Sequence, residues 1–158
     1  METKASVITV RHTDPHEAIC AELIAELSAE LGALYNTDGS GAFKPDDVTV
    51  PRATFVVAWL DGAAVGCGAL RPMKDEAIGE IKRMYVRPSV RGKGVSRYIL
   101  TALEAFGRSA GYQALCLETG VYQREAVGLY ESSGYAPMDC YGQYSTDPIS
   151  LCYQKRLD

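Results

Sequence analysis

The stretch VRPSVRGKGVSRYILTALEAF, residues 86–106, sets two glycines inside a cluster of cations and follows them at once with a helical pattern. Val95, Ile99, Ala102, Leu103 and Phe106 keep the spacing of one helix face, and Gly111 marks the stop. The residues in front, EIKRMYV (80–86), read as a strand. A helix that starts there has first-turn N–H groups without internal partners, beside the positive end of its dipole. Gly92 and Gly94 carry no Cβ, so an anion can approach the main chain closely. Arg91, Lys93 and Arg97 add charge, and Ser96 adds a hydroxyl. These are the ingredients of a pyrophosphate cradle. The Walker pattern GxxxxGK[ST] is absent, and GxGxxG fails because Arg97 stands where the third glycine belongs.

Working outward, residues 6–11 (SVITVR) alternate like a short strand. Asp14-Pro15 reads as an N-cap followed by proline at the first helical position. Ile19, Leu23, Leu27 and Leu31, with Ile24 and Leu34, predict an amphipathic helix whose solvated side is Glu17, Glu22, Glu26 and Glu30. Residues 36–45 (NTDGSGAFKP) form a polar, glycine-rich loop. TFVVAWL (54–60), Asp61-Gly62 and AAVGCGAL (63–70) make a hairpin. Gly66 and Gly68 share a strand face, which admits a close backbone or ligand, or equally a bulge or tight packing. A strand at 114–119, a short helix at 125–132 closed by Gly134, and a last strand at 149–157 complete the order. That order predicts an α/β fold (α+β in some schemes): one domain over residues 1–158, with a mixed central sheet flanked by helices on both faces.

The 158 residues carry a net charge of −4, unevenly spread. Residues 81–97 hold six cations (Lys82, Arg83, Arg87, Arg91, Lys93, Arg97) and no acid, leaving ten of the 16 cations against all 20 acids. Such a chain is a poor general nucleic-acid binder, and one local basic patch suits a small polyanion better. No apolar run approaches a membrane span, and the first residues lack the apolar stretch of a signal peptide. A cytoplasmic protein without a membrane partner is expected. Five scattered cysteines with no CxxC pair are expected as reduced thiols, and no metal site is expected. His12 and His16 read as surface or capping residues.

EIKRMYVRPSVRGKGVSRYIL resembles the acetyl-CoA-binding core of the GNAT superfamily of N-acetyltransferases. The family pattern Arg/Gln-x-x-Gly-x-Gly/Ala is matched by Arg91-Gly92-Lys93-Gly94-Val95-Ser96, with Tyr85-Val86-Arg87-Pro88 in front and Ser96 replacing the last small residue. EAVGLYESSGY (125–135) resembles the family's A-x-x-hydrophobic-Tyr-x-x-x-Gly-Phe/Tyr stretch. The resemblance implies a single GNAT-like domain whose strands splay around the coenzyme A site. It implies that the main chain from Val90 to Ser96, with Arg97 nearby, holds the pyrophosphate. Met84, Tyr85 and Val86 would hydrogen-bond the pantetheine arm, with Gln123 near the place of a family Asn and Ala126 beside it. Acetyl-CoA would be the cosubstrate, without a metal.

The implied reaction is attack of a neutral amine of a small molecule or peptide on the acetyl thioester in a ternary complex. The amine must lose a proton, the oxyanion needs a donor, and the departing thiolate needs an acid. By resemblance Tyr130 is that acid, and a backbone N–H near Met84 or Tyr85 the oxyanion donor. Glu80 is the candidate base, through water, with Glu118 as rival. On a regular strand Glu80, Lys82, Met84 and Val86 would share one face. The loop YGQYSTDP (141–148) resembles the family's acceptor wall, with residues 36–45 opposite; Tyr35, Phe43, Arg52, Arg71 and Tyr141 are candidate acceptor contacts. The alternative reading is a non-catalytic acyl-CoA-binding sensor. A homodimer through a strand or sheet edge is one assembly the resemblance allows.

Overall fold

The computed structural model describes residues 6–37 and 40–158. The first five residues, and Asp38 and Gly39 of the glycine-rich loop, lie outside the described residues. Seven strands form one sheet: β1 (Ile8–His12), β2 (Thr54–Leu60), β3 (Ala63–Pro72), β4 (Ile78–Val86), β5 (Ala114–Gly120), β6 (Ala136–Met138) and β7 (Ser150–Arg156). Their spatial order is β1-β2-β3-β4-β5-β7-β6. Every neighbouring pair is antiparallel except β4 with β5, so the sheet is mixed. The β2–β3 hairpin turns through Asp61 and Gly62, both at positive φ (50° and 87°), as a primed turn demands.

The helices are α1 (Ala18–Tyr35), α2 (Val95–Ser109) and α3 (Arg124–Ser132). Helix α1 covers one face through Cys20, Leu23 and Leu27, which pack with Phe55, Val57, Cys67 and Tyr85. Helices α2 and α3 cover the other through Val95, Ile99, Leu103, Leu129 and Tyr130, against Val56, Leu70, Ile81, Leu115 and Leu117. Gly66 and Gly68 are explained by this packing. A Cβ on Gly66 would stand 2.6 Å from the Tyr85 carbonyl oxygen, and one on Gly68 2.7 Å from the Ile99 side chain. The glycines let α2 settle on the sheet.

Several expectations change. Asp14 does not cap α1. Its carboxylate accepts the His16 N–H and its carbonyl the Glu17 N–H, closing a turn of its own, and the helix begins at Ala18 with Glu17 as N-cap. Strand β6 escapes the sequence pattern because it is three residues long and contains Pro137, which an edge strand tolerates. The cysteines are not all thiols. The antiparallel β6–β7 pair sets Met138 against Cys152, and this brings Cys140 to a Cα–Cα separation of 5.1 Å, where the two are joined in a disulfide. Cys20, Cys67 and Cys116 are buried thiols, and burial pushes Cys20 and Cys116 up to about 11.

Strand β4 is not regular. Tyr85 pairs with Cys67 and Lys82 with Ala69, so Arg83 and Met84 together oppose Gly68. Arg83 takes φ 54° in this bulge. Glu80 and Lys82 therefore lie on the α1 side, whereas Met84 and Val86 pack into the core beneath α2. The expected common face of these four residues does not exist.

Candidate active site

The parallel pairing of β4 with β5 runs from Ile78 opposite Ala114 to Ile81 opposite Leu117 and ends there. Beyond it the two strands splay. A cavity of about 440 Å³ opens on the α1 side, and one of about 810 Å³ runs toward the start of α2. Met84, Gln123, Ala126 and Tyr130 line both, so the two meet at these residues.

The larger cavity is lined by Met84, Tyr85, Val86, Arg91, Gly92, Gly94, Val95 and Ser96, with Tyr122 and Glu125 opposite. Gly92 and Gly94 have φ 83° and 82°, which glycine adopts without strain. A Cβ on either would meet nothing within 4 Å, so it is the backbone conformation and not crowding that requires glycine here. The N–H groups of residues 92–96 donate to no described residue, while those of Arg97 and Tyr98 turn back to Gly94. Consecutive N–H donors at a helix start, lining a cavity, fit a pyrophosphate. The splayed edge of β4 fits an extended, amide-rich arm.

The cation cluster is less available than its sequence suggests. Arg87 donates to Glu22 (2.9 Å) and to both oxygens of Glu26 (2.8 and 3.1 Å), and Arg91 pairs with Glu30. Glu22, Glu26 and Glu30 thus form an ion-pair seam between α1 and the cradle; Glu17 and Glu22 keep the solvated position expected of them, whereas Glu26 and Glu30 are partly buried by their arginine partners. Lys93 and Arg97 are exposed and do not line the cavity; Arg97 hydrogen-bonds Ser132 instead. Of these cations only Arg91 lines the cavity, and it does so paired with Glu30, so the main-chain donors of the cradle are the groups left to meet an anion.

The smaller cavity is walled by Leu27, Leu31, Tyr35 and Phe43 on one side and by Tyr144, Asp147 and Ile149 on the other. Thr37, Gly41, Ala42 and Phe43 of the glycine-rich loop face Gln143, Tyr144 and Asp147 of the later loop across it. Lys82 and Arg83 line its base, with Glu118 beside them. Burial raises the Glu118 carboxyl, partly offset by a 2.6 Å hydrogen bond donated by the Ser150 hydroxyl. Tyr130 is 4% exposed, and its hydroxyl donates to no described residue. Burial first, and then the Glu118 charge, raise the phenol well above its usual range and keep it protonated.

Glu80 sits elsewhere. It lines neither cavity. Arg71 Nε donates to its Oε1 (2.9 Å), Tyr141 donates to its Oε2 (2.9 Å), and Lys82 Nζ lies 3.8 Å from the latter. Arg71 continues to Asp47 (2.7 Å). Arg71 and Tyr141, expected as acceptor contacts, are committed to this buried network. Arg52 is remote: it packs 4.1 Å over the Tyr112 ring and donates to the carbonyls of Ala110 and Glu76. Tyr35 and Phe43 do line the smaller cavity. Gln123 turns its side-chain oxygen inward to the Gly120 N–H (3.0 Å). His12 meets Thr54 and His16 meets Asp46, both away from the cavities. Tyr144, in the expected acceptor wall, does line the smaller cavity; Lys82 and Arg83 were missed as cavity residues by sequence reasoning, because the bulge that turns Arg83 inward occurs at a residue other than glycine and leaves no local mark.

A sequence profile of the Acetyltransferase (GNAT) family matches residues 20–135. The chain is 37% identical over 150 residues to a protein of Azospirillum brasilense named IAA acetyltransferase, covering 95% of this chain and 98% of that one. A Klebsiella pneumoniae structure assigned to the acyl-CoA N-acyltransferases superposes with a TM-score of 0.80 at 32% identity, covering 96% and 98% of the two chains. A GNAT family acetyltransferase from Elizabethkingia anophelis, solved with acetyl-CoA bound, shares the fold at a TM-score of 0.70 and 16% identity, covering 95% and 98%. No helix among the described residues is long and apolar enough to cross a membrane.

Proposed function

This chain belongs to the GNAT acetyltransferase family, and from that premise we propose that it moves an acetyl group from acetyl-CoA to a primary amine of a small molecule or peptide. The observation that carries the reading is the meeting of two cavities at Tyr130. One has a cradle of N–H donors that meet no described residue, the other a mixed apolar and charged wall. Acetyl-CoA bound in the larger cavity supplies the activated thioester. Residues 91–96 would hold its pyrophosphate through main-chain N–H groups, and Met84, Tyr85 and Val86 its pantetheine amides. Gln123 and Ala126 would border the thiol end. Lys93 and Arg97 are assigned a part in long-range attraction only.

The amine would enter the smaller cavity. Glu118, whose carboxyl is raised by burial, is the group we assign to take the amine proton, directly or through water. Glu80, with Arg71 and Tyr141 on its oxygens, would position Lys82 and the loop around Tyr144. Tyr130 keeps its proton through neutral pH and would give it to the departing thiolate. The relative named IAA acetyltransferase puts IAA among the compounds to screen. A cytoplasmic location belongs to the same reading.

The test is thermal unfolding with coenzyme A, acetyl-CoA, NAD and ATP, each in excess. A ligand that binds only the folded chain raises the melting temperature by mass action. Stabilisation by the two coenzyme A species alone is expected. No stabilisation by either overturns the reading.

A further inference from the structure

The end of α1 grips the turn between β5 and α3. Tyr35, the last residue of α1, accepts the Tyr122 N–H at its hydroxyl (3.1 Å) and donates to Gln123 Oε1 (3.3 Å). The same Gln123 oxygen accepts the Gly120 N–H (3.0 Å), and the Gln123 N–H returns to the Gly120 carbonyl (3.0 Å). The Tyr35 and Tyr122 rings stack with centroids 5.5 Å apart at 30°. Gly120 completes the fit. Its φ is not in the positive region, yet a methyl group there would overlap the Tyr35 hydroxyl. The glycine is therefore required by the tyrosine, not by the turn.

The place of this knot is what gives it consequence. Tyr35 lines the smaller cavity, Tyr122 the larger, and Gln123 both. The turn at 120–123 leads straight into α3, which carries Ala126 and Tyr130 to the junction. We propose that Tyr35 is a positioning residue: its hydroxyl locks the 120–123 turn to α1, and so fixes α3 against the cofactor while forming the acceptor wall. The lock rests on the acetyl-CoA reading above only for its effect on ligands. The link itself is a property of the chain alone.

The experiment compares wild type, Tyr35→Phe and Gly120→Ala in the full chain. Amide hydrogen exchange at residues 120–123 is read without ligand, and coenzyme A affinity by calorimetry. Tyr35→Phe keeps the ring on Tyr122 and removes only the hydroxyl. Exchange in the turn is expected to accelerate, and coenzyme A to bind about tenfold more weakly, the loss of one or two hydrogen bonds' worth of order, with the melting temperature close to wild type. Gly120→Ala, which displaces the ring from the opposite side, should reproduce both effects even if one variant folds poorly. In a Gln123→Ala background, where only the Tyr122 N–H link to the Tyr35 hydroxyl remains, Tyr35→Phe should cost less affinity than it does in wild type. Wild-type exchange rates in the turn of Tyr35→Phe, or unchanged affinity once the turn has loosened, would overturn the proposal. If wild type itself fails to bind coenzyme A, the acetyl-CoA reading fails, and the exchange comparison of the free proteins still decides for or against the lock.

Discussion

The Ser150 hydroxyl of β7 donates a 2.6 Å hydrogen bond to Glu118 of β5, which lines the cavity where the acceptor amine is proposed to bind. Burial raises the carboxyl, and this bond lowers it. If Glu118 takes the amine proton, activity falls as pH drops through its raised pKa. The acid limb of the rate profile should then lie above the ordinary carboxylate value of about 4.3. Ser150→Ala removes the bond that favours the charged form, so the limb should move further up. Glu118→Gln should abolish the limb and lower kcat by about 100-fold or more. A pH–rate series on the three proteins checks each point.

Arg87 and Glu26 contribute stability that depends on pH. The Arg87 hydrogen bond is the first cause of the lowered Glu26 carboxyl. The folded-state value is depressed, so the contribution is complete above the unfolded carboxylate pKa and is lost as pH falls through the folded value. Arg87→Met should cost about 1–2 kcal/mol at neutral pH, with partial exposure already allowed for. The cost should shrink in acid, as urea titrations at two pH values would reveal.

Gly66→Ala should be among the more damaging small substitutions in the molecule. The added methyl meets a main-chain carbonyl, that of Tyr85, at 2.6 Å, and Ile99 Cδ1 at 3.1 Å. Backbone cannot step aside as a side chain can. A loss of roughly 1–3 kcal/mol is expected from such overpacking. A melting curve measures it, and binding of coenzyme A along β4 should weaken in parallel.

The Cys140–Cys152 bridge holds the residue directly before Tyr141, in the loop that carries Tyr144 to the smaller cavity. Reduction frees that loop from β7 but leaves the cradle untouched. The expected result is a raised KM for the amine with the KM for acetyl-CoA unchanged, and the same pattern in Cys140→Ser without reductant. Equal KM values in both forms would show that Tyr141 and Tyr144 are held by Glu80 and Lys82 alone.

Much of this was legible in the sequence, and the reasons are physical. Gly92 and Gly94 beside a helix start announce an anion cradle, though their positive φ emerges only in the structure, and Val95, Ile99 and Leu103 announce a buried helix face; both are local properties. The hairpin around Asp61-Gly62 is equally local. The site was less legible wherever it depends on partners distant in sequence. Arg87 and Arg91 read as free cations because nothing near them announces Glu22, Glu26 and Glu30 on a helix some sixty residues earlier. Glu80 lies on the cradle strand, though two residues in from its start, and Arg71 and Tyr141 close over it from two other elements. The bulge at Arg83 reverses which side chains of β4 face α1, and a period-two reading has no means to see it.

The most direct test of the central claim is thiol release from acetyl-CoA in the presence of an amine panel, followed for wild type and Tyr130→Phe. Wild type should release one thiol for each N-acetylated product. Tyr130→Phe should bind acetyl-CoA normally and turn over about 100-fold more slowly, because only the acid is missing. Tight acetyl-CoA binding with no amine-dependent thiol release by wild type, or full turnover in Tyr130→Phe, would contradict the account.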